Sequence, residues 1–242
     1  MDSPEVMSAY RGRHGRLQSP FVVREEVIAV CHALASRGLI AGQDGNVSVR
    51  IAPDRLLVTP AGFAKGSLGP DDLVEVGMDG AHLAGRFTAS SELGLHLAAY
   101  RERPEIGAVV HAHPVTATAF TLVGESVPDG VLAELMLSVG PVALAPYARP
   151  GTDELGIIVG PYFRGHDVVL LSHHGAVSVG RTLQDAHFAM ESLEHGARTI
   201  HLARQLGDVV TLRDSAQDAL REARRGACKD AARTAALKET CE

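Results

Sequence analysis

Apolar residues along the chain follow two spacings, one typical of helices and one typical of strands. Helical spacing runs from Pro20 to Gly38 and begins again at Ser90 and at Leu183, and a shorter helix is predicted over residues 152–160. Short runs that are apolar, or that alternate with polar residues, predict strands. They cover residues 46–51, 55–59, 73–78, 108–112, 143–145 and 168–171. Because helices and strands are interspersed, the pattern predicts an α/β or α+β fold.

The two ends of the chain lack the periodicity of its centre. Residues 1–20 contain no apolar pattern, and we predict a mobile N-terminal arm there. Residues 213–242 are rich in alanine and balanced in charge, as expected for a helical tail that is solvated or packs on a partner. Residues 21–212 are then predicted to form a single domain, whose length lies within the usual range of roughly 50–250 residues.

The composition excludes several classes of protein. The apolar fraction of 45% and the charged fraction of 21% are ordinary for a globular protein. No segment approaches the roughly 20 apolar residues of a membrane span, and residues 1–20 lack the apolar stretch of a secretory signal. A net charge of -6 provides no basic surface for nucleic acid. We therefore expect a cytoplasmic protein without a nucleic-acid or membrane partner.

Cysteine and lysine are too scarce to be the main chemical groups. The three cysteines are odd in number and show no CxxC spacing, which argues against a disulfide framework and against a thiolate zinc site. Lys65 is the one lysine outside the polar tail, so Schiff-base chemistry has a single candidate. Histidine, in contrast, occurs twelve times. Any metal site is therefore expected to use imidazole ligands.

One pair of histidines lies at the end of a predicted buried strand. His111 and His113 are two residues apart, and side chains in a strand alternate between its faces, so both rings should point to the same side. Pro114 follows and removes a backbone donor, which ends the strand and leaves the pair accessible to a ligand. This spacing alone is weak support for a metal site, because polar residues are common at strand ends.

A second strand also finishes in histidine. After residues 168–171 and Ser172, the sequence continues with His173, His174 and Gly175. Three imidazoles, from His111, His113 and His174, would form a tetrahedral divalent site with one open position. His173 is expected to point away from it, because of the alternation along the strand.

A rival arrangement pairs Glu92 with His96, which share a face of the predicted helix at a separation of four residues. His96 also fits the apolar rhythm of that helix. It could therefore equally be a core histidine whose ring nitrogens are satisfied by hydrogen bonds.

Three segments suit a small anionic substrate. Residues 42–46 and 59–62 are glycine-containing loops that can expose backbone N–H groups, and Ser90 and Ser91 stand at a predicted helix start. Each segment alone is more often an ordinary turn or helix cap. Their combination with the histidines favours a phosphate-binding site.

Several motifs together resemble the class II aldolase/adducin family, and within it the L-fuculose-1-phosphate aldolase branch. The resemblance spans roughly residues 22–207, in which the motifs occur in the family's order and spacing. The motifs are Gly45–Arg50, Thr59–Gly62, Ser90–Glu92, His111 with His113, Ala145–Tyr147 with Gly151 and Thr152, and His174 with Gly175.

The resemblance implies the following architecture and cofactor. The fold would be a three-layer α/β/α sandwich around a mainly antiparallel sheet. The assembly would be a homotetramer with active sites at subunit interfaces. The cofactor would be a divalent metal ion, most simply Zn²⁺, with Mn²⁺ or Co²⁺ as alternatives.

The resemblance also implies roles for individual residues. His111, His113 and His174 would bind the metal ion. Glu92 would act as the acid/base and as an additional ligand in the resting enzyme. Four residues would hold the phosphate of a small sugar substrate, namely Asn46, Gly62, Ser90 and Ser91. The reaction would be reversible cleavage of a ketose 1-phosphate to dihydroxyacetone phosphate and an aldehyde.

Two departures from the fuculose-phosphate pattern concern the substrate. Ala61 replaces a threonine of the phosphate loop and removes one hydroxyl donor. The C-terminal tail also has no tyrosine to donate to a neighbouring site, which leaves Tyr147, water or another group to exchange a proton with the aldehyde oxygen.

Three alternatives remain open within the same family. The first is a ribulose-5-phosphate 4-epimerase, whose pattern resembles this one but has aspartate in place of Glu92. The second is a decarboxylase of a phosphorylated keto acid. The third is an adducin-like scaffold without catalysis, which the presence of Glu92 and the three histidines argues against.

Overall fold

A single eight-stranded sheet forms the centre of the protein. The structure is a computed structural model that describes the backbone of residues 19–239 and the side chains of residues 19–227. The strands are β1 (Asn46–Ala52), β2 (Arg55–Val58), β3 (Val74–Gly77), β4 (His82–Ala84), β5 (Ala108–Ala112), β6 (Val142–Ala145), β7 (Val168–Leu171) and β8 (Gly175–Gly180). Their order across the sheet is β4-β3-β2-β1-β5-β8-β7-β6. Only β6 and β7 pair in parallel, so the prediction of a mainly antiparallel sheet is confirmed.

Helices cover both faces of this sheet. They are α1 (Pro20–Ser36), α2 (Leu93–Glu102), α3 (Val115–Leu122), α4 (Ala133–Ser138), α5 (Asp153–Val159), α6 (Leu183–Leu206) and α7 (Asp214–Glu239). Side chains of α1, α3 and α6 pack into one apolar core, and side chains of α2 and α5 pack into a second core on the opposite face. The predicted three-layer sandwich is therefore confirmed. Within the described part of the chain, no helix combines the length and the hydropathy that crossing a membrane requires.

Strand β8 is a central element that the sequence pattern did not predict. It lies between β5 and β7 and pairs with both. Its sequence, Gly175–Gly180, contains two glycines and a buried serine and has no clear alternation. Ser178 tolerates burial because its hydroxyl donates to the backbone oxygen of Ala186. In the sequence, this serine and the two glycines are more typical of a turn than of a strand.

The ends of the chain were predicted to be separate from the domain. Most of the proposed arm at residues 1–20 lies outside the described residues, although Pro20 already belongs to α1. The predicted tail helix corresponds to α7, which packs on α4. Arg224 of α7 forms an ion pair with Asp167 and donates to the backbone oxygen of Leu137. The division at residue 212 remains a prediction.

The register of the central strands determines where chemistry is possible. Asn46 at the start of β1 lies opposite His111 of β5, and Ala112 lies opposite Ala176 of β8. The β7–β8 turn is therefore placed beside the end of β5. Two strand ends and one turn meet at the same edge of the sheet.

Candidate active site and metal centre

Strand β5 delivers two imidazoles to this edge, as the sequence predicts. The Nε2 atoms of His111 and His113 are 3.2 Å apart. The Nδ1 of His111 donates to the backbone oxygen of Ala176, and the Nδ1 of His113 lies 3.3 Å from a carboxylate oxygen of Asp44. Since each Nδ1–H faces an acceptor, each Nε2 lone pair is left for the centre of the site.

The third imidazole comes from a turn and not from a strand end. β7 finishes at Leu171, and His174 lies in the turn before β8. His173 in the same turn has a positive φ of 58° and is exposed, and its ring nitrogen contacts Ser172. His173 therefore points away from the other rings, as predicted. The cause is the conformation of the turn, because His173 does not belong to a strand and strand alternation does not apply to it.

Glu92 stands between the strands and helix α2. It occupies the N-cap position of α2 but makes no side-chain capping bond. One carboxylate oxygen, Oε2, lies 3.1 Å from Nε2 of His111 and accepts a hydrogen bond of 2.9 Å from the Asn46 amide. The other, Oε1, lies 3.4 Å from Nε2 of His174 and is buried without a hydrogen-bond partner among the described residues.

The donor set fits a divalent metal ion. Within the described residues, the ligand atoms of His111, His113 and His174 all lie within 4.8 Å of one another. The 3.2 Å separation of the first two Nε2 atoms is close to the roughly 3.3 Å expected for two nitrogens bound tetrahedrally to Zn²⁺. The buried, unpartnered oxygen of Glu92 adds a fourth potential donor. His96 is not part of this group, so the rival arrangement with Glu92 and His96 as ligands is not supported.

The charge states of these groups are those that a metal ion requires. Burial raises the pKa of Glu92, but the hydrogen bond and charge interaction with His111, together with the Asn46 amide, outweigh it and leave this pKa well below its usual range. Burial, followed by the nearby His111, lowers the pKa of His174 to about 4 and also lowers the pKa of His113. At neutral pH the imidazoles of His113 and His174 are therefore neutral, and the Glu92 carboxylate is ionised, as binding of a metal ion requires.

Gly175 allows the β7–β8 turn to approach β5, and this leads to a testable prediction. A Cβ atom at this position would lie 2.5 Å from the backbone oxygen of Ala112 and 2.6 Å from Cδ2 of His113. Gly175→Ala is therefore expected to displace the His113 ring and to lower metal affinity by about 10- to 100-fold, as disturbed outer-shell contacts do. Competition with a chromogenic chelator measures the affinity.

The matched control for Gly175 is Gly165→Ala. A Cβ atom at Gly165 would have no other atom within 4 Å, and the φ of this residue is negative. This variant should bind metal as the wild type does. Equal affinity in the wild type and Gly175→Ala would show that the approach of the turn to β5 does not set the position of His113.

A cavity of about 400 Å³ opens above the histidines and Glu92. Its rim contains the three segments that the sequence marked as anion-binding, including Asn46, Gly62, Ser90 and Ser91. Gly62 adopts a φ of +76°, which favours glycine in this tight loop. Ser90 accepts a hydrogen bond from the backbone N–H of Glu92, and so connects the rim to the start of α2. All four predicted phosphate-binding residues are thus brought to one cavity.

Lys65 also lines the cavity, which the sequence did not indicate. Its side chain is 3% exposed, and its Nζ donates to the backbone oxygens of Gln43 at 2.7 Å and of Phe63 at 2.8 Å. Burial lowers the pKa of Lys65, while the charges of Asp44 and Glu92 act in the opposite direction. Lys65 joins the two glycine-containing loops and places positive charge beside the predicted anion subsite.

Tyr147 is not among the residues that line this cavity in the described part of the chain. It follows β6, and its side chain is 59% exposed. A role for Tyr147 as an acid would therefore require another subunit to complete the site around it. That role remains a prediction.

The fold and the site together define the class of protein. The family model "Class II Aldolase and Adducin N-terminal domain" matches residues 25–201. The chain belongs to this family, which confirms the resemblance seen in its motifs.

The chain is similar to relatives with different reactions. It is 34% identical over 190 residues to a 3-oxo-tetronate 4-phosphate decarboxylase of Escherichia coli, covering 77% of this chain and 88% of the relative. It is also 34% identical over 179 residues to an L-fuculose phosphate aldolase of Methanococcus vannielii, covering 74% and 95%. The crystal structure of YgbL from Escherichia coli superposes with a TM-score of 0.78 at 32% identity and covers 84% of this chain and 99% of YgbL.

Proposed function

We propose that the protein is a metal-dependent class II aldolase that reversibly cleaves a ketose 1-phosphate to dihydroxyacetone phosphate and an aldehyde. The observation that carries this proposal is the convergence of three imidazoles and one carboxylate beside a cavity whose rim contains glycine-containing loops and a helix start. An acid/base beside a Lewis-acid site and a phosphate subsite is the set of groups that such a cleavage requires.

In this proposal, His111, His113 and His174 hold the ion, with Glu92 as an additional ligand in the resting enzyme. Zn²⁺ suits this ligand set best, and Mn²⁺ or Co²⁺ are alternatives. When bound, the ion supplies a Lewis acid that polarises the substrate's carbonyl group.

Glu92 moves the proton at carbon. In the condensation direction its carboxylate accepts a proton from the carbon of dihydroxyacetone phosphate next to the carbonyl group. In the cleavage direction the hydroxyl group on the carbon that becomes the aldehyde gives up its proton to Glu92, directly or through water, and the carbon–carbon bond breaks. The electron pair of that bond passes into the enediolate, and Glu92 then delivers the proton to the same carbon of dihydroxyacetone phosphate. The low pKa of Glu92 keeps the carboxylate ionised before the proton is taken.

The rim of the cavity binds the phosphate, and Ser91 provides a test of this role. Ser91→Ala removes one hydroxyl donor to a charged group, so KM should rise by about tenfold or more while kcat changes less. Steady-state kinetics with a cleaved ketose 1-phosphate measure both constants. Ser138→Ala, an exposed serine whose hydroxyl bonds within α4, is the control and should change neither. A fall in kcat alone would contradict a binding role for Ser91.

A decarboxylase is the second candidate, and one structural observation favours it. No tyrosine lines the described part of the cavity, so this part supplies no phenolic acid that could exchange a proton with the aldehyde oxygen. Loss of carbon dioxide from a phosphorylated 3-keto acid needs no such acid. The bond to the carboxylate breaks, its electron pair passes to the carbonyl oxygen, and only the carbon must be protonated. The similarity to the 3-oxo-tetronate 4-phosphate decarboxylase supports the same alternative.

One experiment separates these candidates. Protein of measured metal content is incubated with a panel of ketose 1-phosphates, ketopentose 5-phosphates and phosphorylated 3-keto acids, and aldehyde, carbon dioxide and epimerised sugar phosphate are recorded. Aldehyde release from ketose 1-phosphates supports the aldolase. Carbon dioxide with no aldehyde identifies a decarboxylase, and isomerised pentose phosphate without free aldehyde identifies an epimerase. Absence of every product from metal-replete protein would contradict the proposal.

The type of electron sink can be tested separately. We expect a chelator to abolish activity and added metal to restore it, whereas sodium borohydride with substrate should leave activity intact. The reason is that the Lys65 amine is engaged by two backbone oxygens and is not available to form an imine. The activity that remains after each treatment is measured, and the mass of the intact protein shows whether a reduced adduct has formed. A reduced adduct on Lys65 would reverse this assignment.

The assembly and location also remain proposals. We propose a homotetramer in the cytoplasm with active sites at subunit interfaces, as the resemblance implies. The exposed side chain of Tyr147 would be available to a neighbouring subunit in such an assembly.

A further inference from the structure

A buried chain of hydrogen bonds leads from Glu92 into the core, away from the cavity. We call it the His96 network, and it consists of Asn46 and Ser48 on β1 and His96 and Tyr100 on α2. The Asn46 amide contacts both Glu92 Oε2 and His96 Nε2. The other ring nitrogen of His96, Nδ1, lies 2.6 Å from the Ser48 hydroxyl, and the Tyr100 hydroxyl lies 3.0 Å from the same Ser48 oxygen.

The direction of each hydrogen bond in this network follows from Glu92. An ionised carboxylate only accepts hydrogen bonds, so Asn46 must present its NH₂ group to Glu92 and its carbonyl oxygen to His96. That oxygen requires a donor, which places the His96 proton on Nε2. Nδ1 then accepts from the Ser48 hydroxyl, while the Tyr100 hydroxyl donates to the backbone oxygen of Ser48 at 3.1 Å.

The charge and burial of His96 agree with this order. The side chains of Ser48 and His96 are 0% exposed, and that of Tyr100 is 1% exposed. Burial, followed by the nearby His111, lowers the pKa of His96 to about 3, so the ring is neutral and has one proton to place. The Tyr100 ring packs in the apolar core, and the Arg50 guanidinium lies over it, 4.9 Å from the ring centroid. The short contacts on both sides of the His96 ring suit orientation of Asn46.

We propose that His96 is a positioning residue whose neutral Nε2–H tautomer fixes the Asn46 amide, so that one N–H of Asn46 holds the Glu92 carboxylate in place. The catalytic part of this inference rests on the proposed function of Glu92. Asn46 also lines the cavity, so the same orientation leaves its second N–H for the substrate. With the opposite tautomer, Asn46 would turn its oxygen towards Glu92 and repel it.

The tautomer can be measured without any substrate. Histidine labelled with ¹⁵N is incorporated into the full-length, zinc-loaded protein, and long-range ¹H–¹⁵N correlation spectra identify which nitrogen of each ring carries the proton. The His96 signals are identified as those that are present in the wild-type spectrum and absent from the spectrum of His96→Gln. We expect the Nε2–H form near neutral pH. A dominant Nδ1–H form would overturn the proposal, even if the protein had no aldolase or decarboxylase activity.

A graded series of variants tests the catalytic consequence. His96→Leu removes both hydrogen bonds, and kcat should fall by about 10- to 100-fold, as is typical for outer-shell partners. His96→Gln can place its side-chain NH₂ near the position of Nε2, and should recover most of the loss. Bound zinc should stay near the wild-type amount in both, because His96 is outside the ligand group.

His187→Leu is the matched control, because His187 is also a buried histidine but lies on α6 outside the cavity. It should retain wild-type kcat. Equal losses in His96→Leu and His96→Gln, or unchanged kcat in His96→Leu, would overturn the positioning role. Wild-type protein that releases neither aldehyde nor carbon dioxide would instead contradict the proposed function and leave the tautomer measurement to decide the inference about Asn46.

Discussion

Glu92→Gln is expected to lower turnover by roughly 10² to 10⁴-fold, because the amide cannot accept the proton that the reaction moves. The fold should persist, since glutamine has nearly the same shape and can occupy the same N-cap position of α2. The partial reaction makes the test specific. Exchange of the carbon-bound hydrogen of dihydroxyacetone phosphate with deuterated water requires the base but no aldehyde, and NMR follows it directly.

The alternative for Glu92 is a helix-start carboxylate that only complements the helix dipole. In that case Glu92→Gln should cost no more than about 1 kcal/mol of stability and leave turnover largely intact. Glu102→Gln is the matched control, because Glu102 lies at the other end of α2 and pairs with Arg164 at the surface. Metal-replete Glu92→Gln that exchanges hydrogen at the wild-type rate would remove Glu92 from the mechanism.

Replacement of His111, His113 or His174 by alanine is expected to lower metal affinity by more than the roughly 10- to 100-fold that outer-shell changes cause. The reason is that an open site with three protein imidazoles has no spare ligand. Metal content by mass spectrometry and affinity by chelator competition measure the effect. Activity should fall in parallel and should recover only in part at high metal concentration.

His173→Ala is the internal control for this series. His173 is adjacent to His174 in the sequence, yet it is exposed and directed away from the three rings. Its loss should leave metal affinity nearly unchanged. Wild-type metal content in two of the three ligand variants would contradict the assigned site.

The candidate metal site could be predicted in large part from the sequence, because the positions of its first two proposed ligands depend on local geometry. The alternation of side chains along a strand places His111 and His113 on one side, and Pro114 ends the strand beside them. The third ligand was predicted for a different reason, as a second strand end. The structure shows that His174 belongs to a turn, and that Gly175 lets this turn approach β5.

The roles of Lys65 and His96 could not be predicted in the same way. Lys65 follows a loop in the sequence, and only the folded chain brings the backbone oxygens of Gln43 and Phe63 to its amine. His96 was correctly recognised as a possible core histidine with satisfied ring nitrogens. Its partners, Asn46 and Ser48, are 50 and 48 residues away and belong to another element, so no local spacing indicates them.

The sequence by itself determined the elements whose periodicity is strong, such as α6 over Leu183–Leu206, together with the family and the three histidines that lie close together in the structure. Tertiary structure alone decided the place of β8 and the network behind Glu92. The physical reason is that the spacing of apolar residues along the sequence indicates only which face of a helix or strand is buried. The pairing of β8 with two neighbours, and the hydrogen bonds among buried polar groups, depend on contacts between residues that are distant along the chain.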